Sequence, residues 1–173
     1  PVHFLVMGLA ATGVLLGLFY RLSALVFWLT FTHTFLIEKT LYQNHYYLIC
    51  LIGFLMIFLP CQRAFSVDVW RCRVLPSATA PAWTLWILRL QIAIPYFYGG
   101  LAKLNSDWLH GMPLRVWLAK GSDLPLVGPY LTQDWCVFLF VYGGLLFDLL
   151  IVPFLLWRRT RLLAYLVSIA FHL

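Results

Sequence analysis

Long apolar segments separated by short polar connections dominate the hydrophobic pattern of this chain. A straight membrane crossing needs about 20 largely apolar residues. The first, fourth and fifth segments have that length, the second and third are shorter, and the sixth runs to the last residue. The pattern predicts an all-α, polytopic transmembrane helix bundle of about six spans, in one domain over residues 1–173. The segments are residues 2–20, 22–37, 46–59, 83–102, 135–157 and 162–173.

The composition supports a membrane protein. Hydrophobic residues make up 63% of the 173 residues and charged residues only 10%. Soluble domains carry about 25% charged residues, so this chain has too little charge to cover a globular surface in water. No nucleic-acid motif accompanies the net charge of +6, and we expect no nucleic-acid partner. Because the chain starts and stops inside apolar runs, we expect a piece truncated at both ends.

Basic residues divide unevenly between the loops if all six segments cross the membrane. The arginine-rich side is expected to be cytoplasmic by the positive-inside bias. This topology places Lys103 on the periplasmic side if the protein lies in a bacterial inner membrane, or on the lumenal side if it lies in a eukaryotic endoplasmic reticulum. The arginine-rich side holds Arg21, Arg63, Arg71, Arg73, Arg158, Arg159 and Arg161, and the other side holds Lys39, Lys103, Arg115 and Lys120.

Lys103 lies at the end of the fourth apolar segment and is the candidate catalytic residue. Hydrocarbon surroundings disfavour a charged ammonium, and a neutral amine is a base. Pro95 interrupts the preceding helix pattern and is expected to bend it. Gly99 and Gly100 permit the close approach of another helix or of a ligand, and both interpretations are open.

Asn44 and His45 begin the third apolar segment. A histidine can relay a proton near neutral pH, whereas Asn44 can simply cap a helix. Arg89 and Asp148 are the most deeply placed charges, about 9–14 Å from the same end of their spans, and are predicted to form a structural ion pair. Trp108 is interpreted as a membrane-interface anchor. The four cysteines have no metal-ligand spacing, and no metal is predicted.

Four short motifs, in order along the chain, resemble the vitamin K-dependent gamma-glutamyl carboxylase family. The similarity is greatest to bacterial proteins that share its membrane part, the horizontally transferred transmembrane (HTTM) domain. The matching stretches are Glu38-Lys39-Thr40 with residues 44–48, then residues 65–68, then residues 96–108 around Lys103, and finally Phe171-His172.

This resemblance implies a specific chemistry. In the family, a vitamin K hydroquinone is deprotonated by the lysine and oxidised by oxygen. The strong base so formed removes a proton from the gamma carbon of a protein glutamate, which then adds carbon dioxide, and vitamin K epoxide leaves. Lys103 corresponds to the base. The residues assigned to cofactor binding are Asn44, His45, Tyr96, Gly99, Gly100 and His172.

The implied partners are membrane lipid, a reduced quinone and a secreted glutamate-containing protein or peptide. Two outcomes are open from the sequence, quinol oxidation alone or oxidation coupled to carboxylation. An alternative hypothesis is a non-catalytic quinone- or lipid-binding membrane module. A transporter is a third hypothesis, which the lack of an inverted repeat disfavours.

Overall fold

The computed structural model describes residues 1–37 and 42–172, and these residues form helices and connections without a β-strand. The all-α prediction is therefore confirmed for this part of the chain. Each of the six apolar segments contains one long helix. These are α1 (Val2–Leu16), α2 (Tyr20–Ile37), α3 (Asn44–Phe58), α5 (Ala82–Ala102), α9 (Asp134–Leu156) and α10 (Arg161–His172). The shorter helices are α4 (Val67–Trp70), α6 (Ser106–Leu109), α7 (Met112–Ala119) and α8 (Gly128–Leu131).

Among the described helices, α9 alone is both long and apolar enough to cross a membrane by length and composition. Helices α1 and α3 are apolar but have 15 residues each, and α10 has 12. At 1.5 Å per residue, 15 residues extend about 22 Å, less than a hydrocarbon core of about 30 Å. The structure thus supports one candidate span, and the six-span bundle stays a prediction.

The chain divides into two compact units, Pro1–Gln91 and Ile92–Leu173, with the division inside α5. In the first unit α2 packs against both α1 and α3. In the second unit α9 packs against α10 and against the short helices α6, α7 and α8. The expectation of a single domain over residues 1–173 stays a prediction.

The buried carboxylate of Asp68 organises one end of the first unit. Its Oδ1 accepts a hydrogen bond from the Phe19 amide at 2.9 Å, and its Oδ2 accepts one from the Tyr20 amide at 3.0 Å. Gly17 ends α1 in the left-handed conformation with φ 62°, and a Cβ there would overlap Ser66. The stretch 65–68 thus caps α2 and fills the α1–α2 turn.

The second unit is centred on α9. Phe147 and Ile151 of α9 are buried with Ala164 of α10, and Tyr96 of α5 packs against them. The rings of Phe147 and Phe171 stack with centroids 3.8 Å apart. This core holds the C-terminal part of α5 and the end of α10 against one face of α9.

Candidate functional site

Lys103 and Asp148 form an ion pair in the second unit. Lys103 directly follows the last residue of α5, and its Nζ contacts Oδ2 of Asp148 on α9. The two side chains are 21% and 11% exposed. The described partner of the Asp148 carboxylate is Lys103, and the predicted pair of Asp148 with Arg89 stays a prediction. Arg89, in the first unit, places its guanidinium carbon 5.1 Å from the Trp86 ring on the same helix.

Two glycines explain why α9 approaches α5 so closely at this point. A Cβ on Gly99 would lie 2.9 Å from Asp148 Oδ2, and one on Gly100 would lie 2.5 Å from a methyl carbon of Leu149. Real Cβ atoms essentially never show contacts below 3.0 Å, so larger residues would displace α9 side chains. The close approach expected at Gly99 and Gly100 is therefore made to α9, and it leaves room for the Asp148 carboxylate.

The ring of Trp108 packs against the lysine of this ion pair. Lys103 Nζ lies 5.1 Å from the centre of its ring, within the range of a cation–π contact. The indole Nε1 donates a hydrogen bond to the Val141 carbonyl at 3.2 Å, and Asn105 caps α6 by accepting from the Trp108 amide at 2.9 Å. The interpretation of Trp108 only as an interface anchor is thus incomplete, since it contacts the candidate catalytic amine.

The ion pair meets α9 well inside that helix. Asp148 follows Asp134 by 14 residues and precedes Leu156 by eight, which places it about 21 Å from one end and 12 Å from the other. Helix α5 stops at Ala102, and α6, α7 and α8 pack against α9 beyond that point. Lys103 therefore lies deeper along α9 than its position at the end of an apolar segment suggests.

Tyr96 and His172 form a second polar pair in the same unit. The Tyr96 hydroxyl lies 3.3 Å from His172 Nε2, and His172 Nδ1 lies 2.7 Å from the Ser168 carbonyl oxygen. A carbonyl only accepts, so Nδ1 carries a proton, and in the neutral ring Nε2 accepts from the tyrosine. The structure thus brings together two of the residues that the resemblance assigns to cofactor binding.

An apolar groove of about 820 Å³ runs along α9 and α10. Its volume is in the range of about 300–1,000 Å³ found for small-molecule sites. Phe147 and Phe171 line one part, and Gly143 and Gly144 line another. A Cβ on Gly144 would lie 4.0 Å from Lys103 Cε. One residue of the groove wall, Gly144, therefore lies next to the lysine side chain.

Asn44 and His45 are the first residues of α3, in the first unit, and both are exposed. The N-cap of α3 is Gln43, so the alternative of Asn44 as the cap is wrong. The neighbouring Tyr46 ring packs edge-on against Phe31 of α2, with centroids 6.2 Å apart. The Glu38-Lys39-Thr40 part of the motif lies outside the described residues. The role of Asn44 and His45 in hydroquinone binding stays a prediction.

Comparison with known proteins places the chain in a family. No solved structure matches it. The family model of the HTTM domain matches residues 1–173, the entire chain. HTTM domains are associated with vitamin K-dependent carboxylase-type membrane proteins. Together with the candidate membrane helix α9, this match points to a membrane protein. The chain therefore belongs to the HTTM domain family.

Proposed function

We propose that this chain is the membrane part of an enzyme of the vitamin K-dependent gamma-glutamyl carboxylase type. It oxidises a vitamin K hydroquinone to the epoxide with oxygen, and Lys103 is the base that deprotonates the hydroquinone. The observation that carries the proposal is the ion pair between Lys103 and Asp148, which is largely shielded from solvent and lies next to Gly144, a residue that lines an apolar groove. Membership of the HTTM family supports the same chemistry.

We assign Asp148 the role of accepting a proton from Lys103 before the lysine acts as a base. The contact is an ion pair only while Lys103 carries its proton, and a protonated amine is not a base. The Asp148 oxygen that touches Nζ is positioned to accept that proton, which leaves a neutral amine beside a neutral acid. In apolar surroundings two neutral groups need less solvation than two charges. When the amine then takes a hydroquinone proton, the site gains one positive charge, which stabilises the hydroquinone anion.

The groove suits the apolar part of the proposed co-substrate. Its lining is mainly aliphatic and aromatic, which favours a lipid-soluble quinol. Tyr96 and His172 are the polar pair nearest to its Phe147 and Phe171 wall. We assign them to orienting the quinol head group. Asn44 and His45 are assigned to holding a hydroquinone oxygen, as the resemblance implies.

In the coupled form of the reaction, the oxygenated vitamin K intermediate removes a proton from the gamma carbon of a glutamate. The carbanion adds carbon dioxide, and the epoxide is released. The glutamate belongs to a secreted protein or peptide that reaches the periplasmic or lumenal side. Oxygen and carbon dioxide are the other reactants, and no metal is assigned to the site.

The experiment is an epoxidation assay on the purified protein in lipid nanodiscs, supplied with reduced vitamin K and oxygen. Carbon dioxide incorporation into a glutamate-containing peptide is measured in the same sample. A general base contributes about 10²–10⁴-fold, so Lys103→Ala should reduce epoxide formation by at least about 100-fold. Lys120→Ala is the matched control, because Lys120 is an exposed lysine of the same unit. Equal epoxide formation by Lys103→Ala and wild type would remove Lys103 from the proposal.

The second candidate function is a non-catalytic quinone- or lipid-binding module, and the apolar groove favours it. Such a module would bind the quinol without producing epoxide, in wild type and in Lys103→Ala alike. Substitution of Ala164 by Phe, which places a large ring in the groove, should then abolish binding. Epoxide formation that depends on Lys103 would exclude this function as a complete description.

A further inference from the structure

The connection between α3 and α5 carries an unusual combination of exposed side chains. Three of them are large and apolar, and three are arginines. We call these six residues the arginine–aromatic face. Phe65, Trp70 and Leu75 are exposed by 106%, 83% and 86%. The exposed arginines are Arg63, Arg71 and Arg73.

The positive charge of this face has no acidic counterpart in its own segment. Asp68 is the only acidic residue between positions 42 and 91. Its side chain is buried, and both of its oxygens accept hydrogen bonds from the Phe19 and Tyr20 amides. The three arginines are therefore available to an external anion.

Hydrogen bonds hold the face in a defined conformation. The Ser77 amide donates to the Arg63 carbonyl at 2.9 Å, and the Arg73 amide donates to the Asp68 carbonyl at 2.8 Å. Phe65 has φ 50°, a left-handed conformation that is unfavourable for a bulky residue. A structured loop thus keeps a strained phenylalanine fully exposed, which is the arrangement expected where strain serves binding.

The face lies at one end of the three apolar helices of the first unit. The Asp68 amide donates to the Gly17 carbonyl at 3.1 Å, which joins the loop to the α1–α2 turn. The Arg71 guanidinium carbon lies 5.1 Å from the Phe19 ring in that turn. Helix α1 ends, α2 begins and α3 ends at this level. If these helices lie in the membrane, the face is at its surface, on the side that the arginine distribution predicts to be cytoplasmic.

We propose that the arginine–aromatic face binds anionic phospholipids in the adjoining leaflet. The arginines contact the phosphate groups, for which a planar guanidinium is well suited. The apolar side chains enter the boundary between head groups and acyl chains, where aromatic residues are favoured. Charge complementarity selects an anionic lipid, and the separate apolar side chains favour a bilayer over a soluble acidic protein. The face contains none of the residues that are assigned to the quinol chemistry, so its lipid binding can be tested separately.

The test measures the apparent Kd of the purified protein for phosphatidylglycerol in detergent, by native mass spectrometry. The variants are the triple substitution Arg63→Gln, Arg71→Gln and Arg73→Gln, and the double substitution Phe65→Ser with Trp70→Ser. Each arginine near an anionic surface contributes about fivefold in affinity, so the triple variant should bind on the order of 100-fold more weakly. It should also lose most of its salt dependence, whereas the aromatic variant should bind more weakly with the salt dependence retained.

Arg158→Gln with Arg159→Gln is the matched control, since these exposed arginines are on the same predicted side but outside the face. The control should bind phosphatidylglycerol much as wild type does. If the control and the triple variant lose the same affinity per arginine removed, lipid binding depends on total charge and the proposed site is wrong. If soluble polyglutamate displaces phosphatidylglycerol and binds with the same arginine dependence, an acidic protein replaces the lipid. Should the triple variant not fold, Arg71→Gln must bind more weakly than the charge-conserving Arg71→Lys.

Discussion

Two aspartates are buried in this chain, one in each unit, and they are held in opposite ways. Asp68 is 5% exposed and Asp148 is 9% exposed. Asp68 accepts hydrogen bonds from two backbone amides at the start of α2. Asp148 instead contacts the Lys103 amine, and its carboxylate packs against Gly99 of α5. Backbone amides do not exchange protons with a carboxylate at neutral pH, whereas an amine can. The first arrangement stabilises a fold, and the second is able to transfer a proton.

The surroundings extend this contrast. The Asp68 amide also donates a hydrogen bond to the Gly17 carbonyl, and Gly17 packs so closely on Ser66 that a Cβ there would overlap it. Asp148 directly follows Phe147, which lines an apolar groove, and its partner lysine lies next to Gly144, which lines the same groove. Burial of an acidic residue in an apolar protein therefore does not by itself indicate catalysis. The chemistry of the partner and access to a ligand space distinguish the two sites.

The largest effect on epoxide formation is expected at Asp148, whereas substitution of Asp68 should leave the activity of the folded protein unchanged. Asp148→Asn keeps the shape of the side chain but cannot accept a proton from Lys103. Epoxide formation should fall by at least about 100-fold. Adding Lys103→Ala should reduce it little further, because two residues that act as a unit are not additive. Initial rates of epoxide formation check both expectations.

Asp134→Asn is the control for Asp148→Asn, since it removes an exposed carboxylate from the same helix, one paired with Arg115. Its epoxide formation should remain near wild type. Additive losses in the double variant would show that Asp148 acts independently of the lysine.

The second prediction is that substitution of Asp68 lowers the stability of the protein. Asp68→Ala removes the acceptor of the Phe19 and Tyr20 amides, and with it the cap at the start of α2, so the free energy of unfolding should fall by about 2 kcal/mol. Asp68→Asn retains one acceptor oxygen and should lose less. Denaturant unfolding in detergent measures both. Epoxide formation per folded molecule should not change. If it fell as much as in Asp148→Asn, the conclusion that Asp68 is structural and Asp148 catalytic would be wrong.

A third prediction uses the close approach of α5 and α9. The new methyl group of Gly99→Ala would lie 2.9 Å from Asp148 Oδ2, the oxygen that contacts Lys103, so the carboxylate must shift. Overpacking of this kind costs about 1–3 kcal/mol. Epoxide formation should fall together with stability. Gly8→Ala is the control, because a Cβ there meets nothing within 4 Å. Unchanged activity in Gly99→Ala would show that epoxide formation does not depend on the close packing of α5 and α9.

The smallest effect is expected at the polar pair beside the groove. Tyr96→Phe keeps the ring contact with Phe147 but removes the hydrogen bond to His172. A hydrogen bond of this kind contributes about 1 kcal/mol, or about fivefold in affinity. The KM for reduced vitamin K should rise by that factor with kcat little changed. Tyr98→Phe, at an exposed position of the same helix, should leave KM as in wild type.

The helices were predictable because apolar runs are a local property of the chain. All six predicted segments contain a helix. The end of α1 was misplaced because Gly17 takes a left-handed conformation and the chain turns there. Helix α1 therefore ends four residues before its predicted segment does.

The site was only partly predictable. Lys103 stood out because it follows an apolar run within a recognisable motif. Its partnership with Asp148 was missed because similar depth and opposite charge also suited Arg89. The one available signal was the pair Gly99-Gly100, which permits a close helix contact but does not identify the facing residue. Trp108 was missed as a contact of the lysine because its position also suits a membrane interface.

The sequence by itself determined the helical character of this protein, its family and the lysine on which the proposed chemistry depends. Hydropathy and short motifs are read from neighbouring residues, so no long-range contact is needed to find them. The tertiary structure alone decided which carboxylate meets Lys103, that Asp68 caps α2, and that Gly144 of the groove wall lies next to the lysine. These contacts join residues about 45–50 positions apart, and they depend on where each helix ends and how its glycines let a neighbour approach.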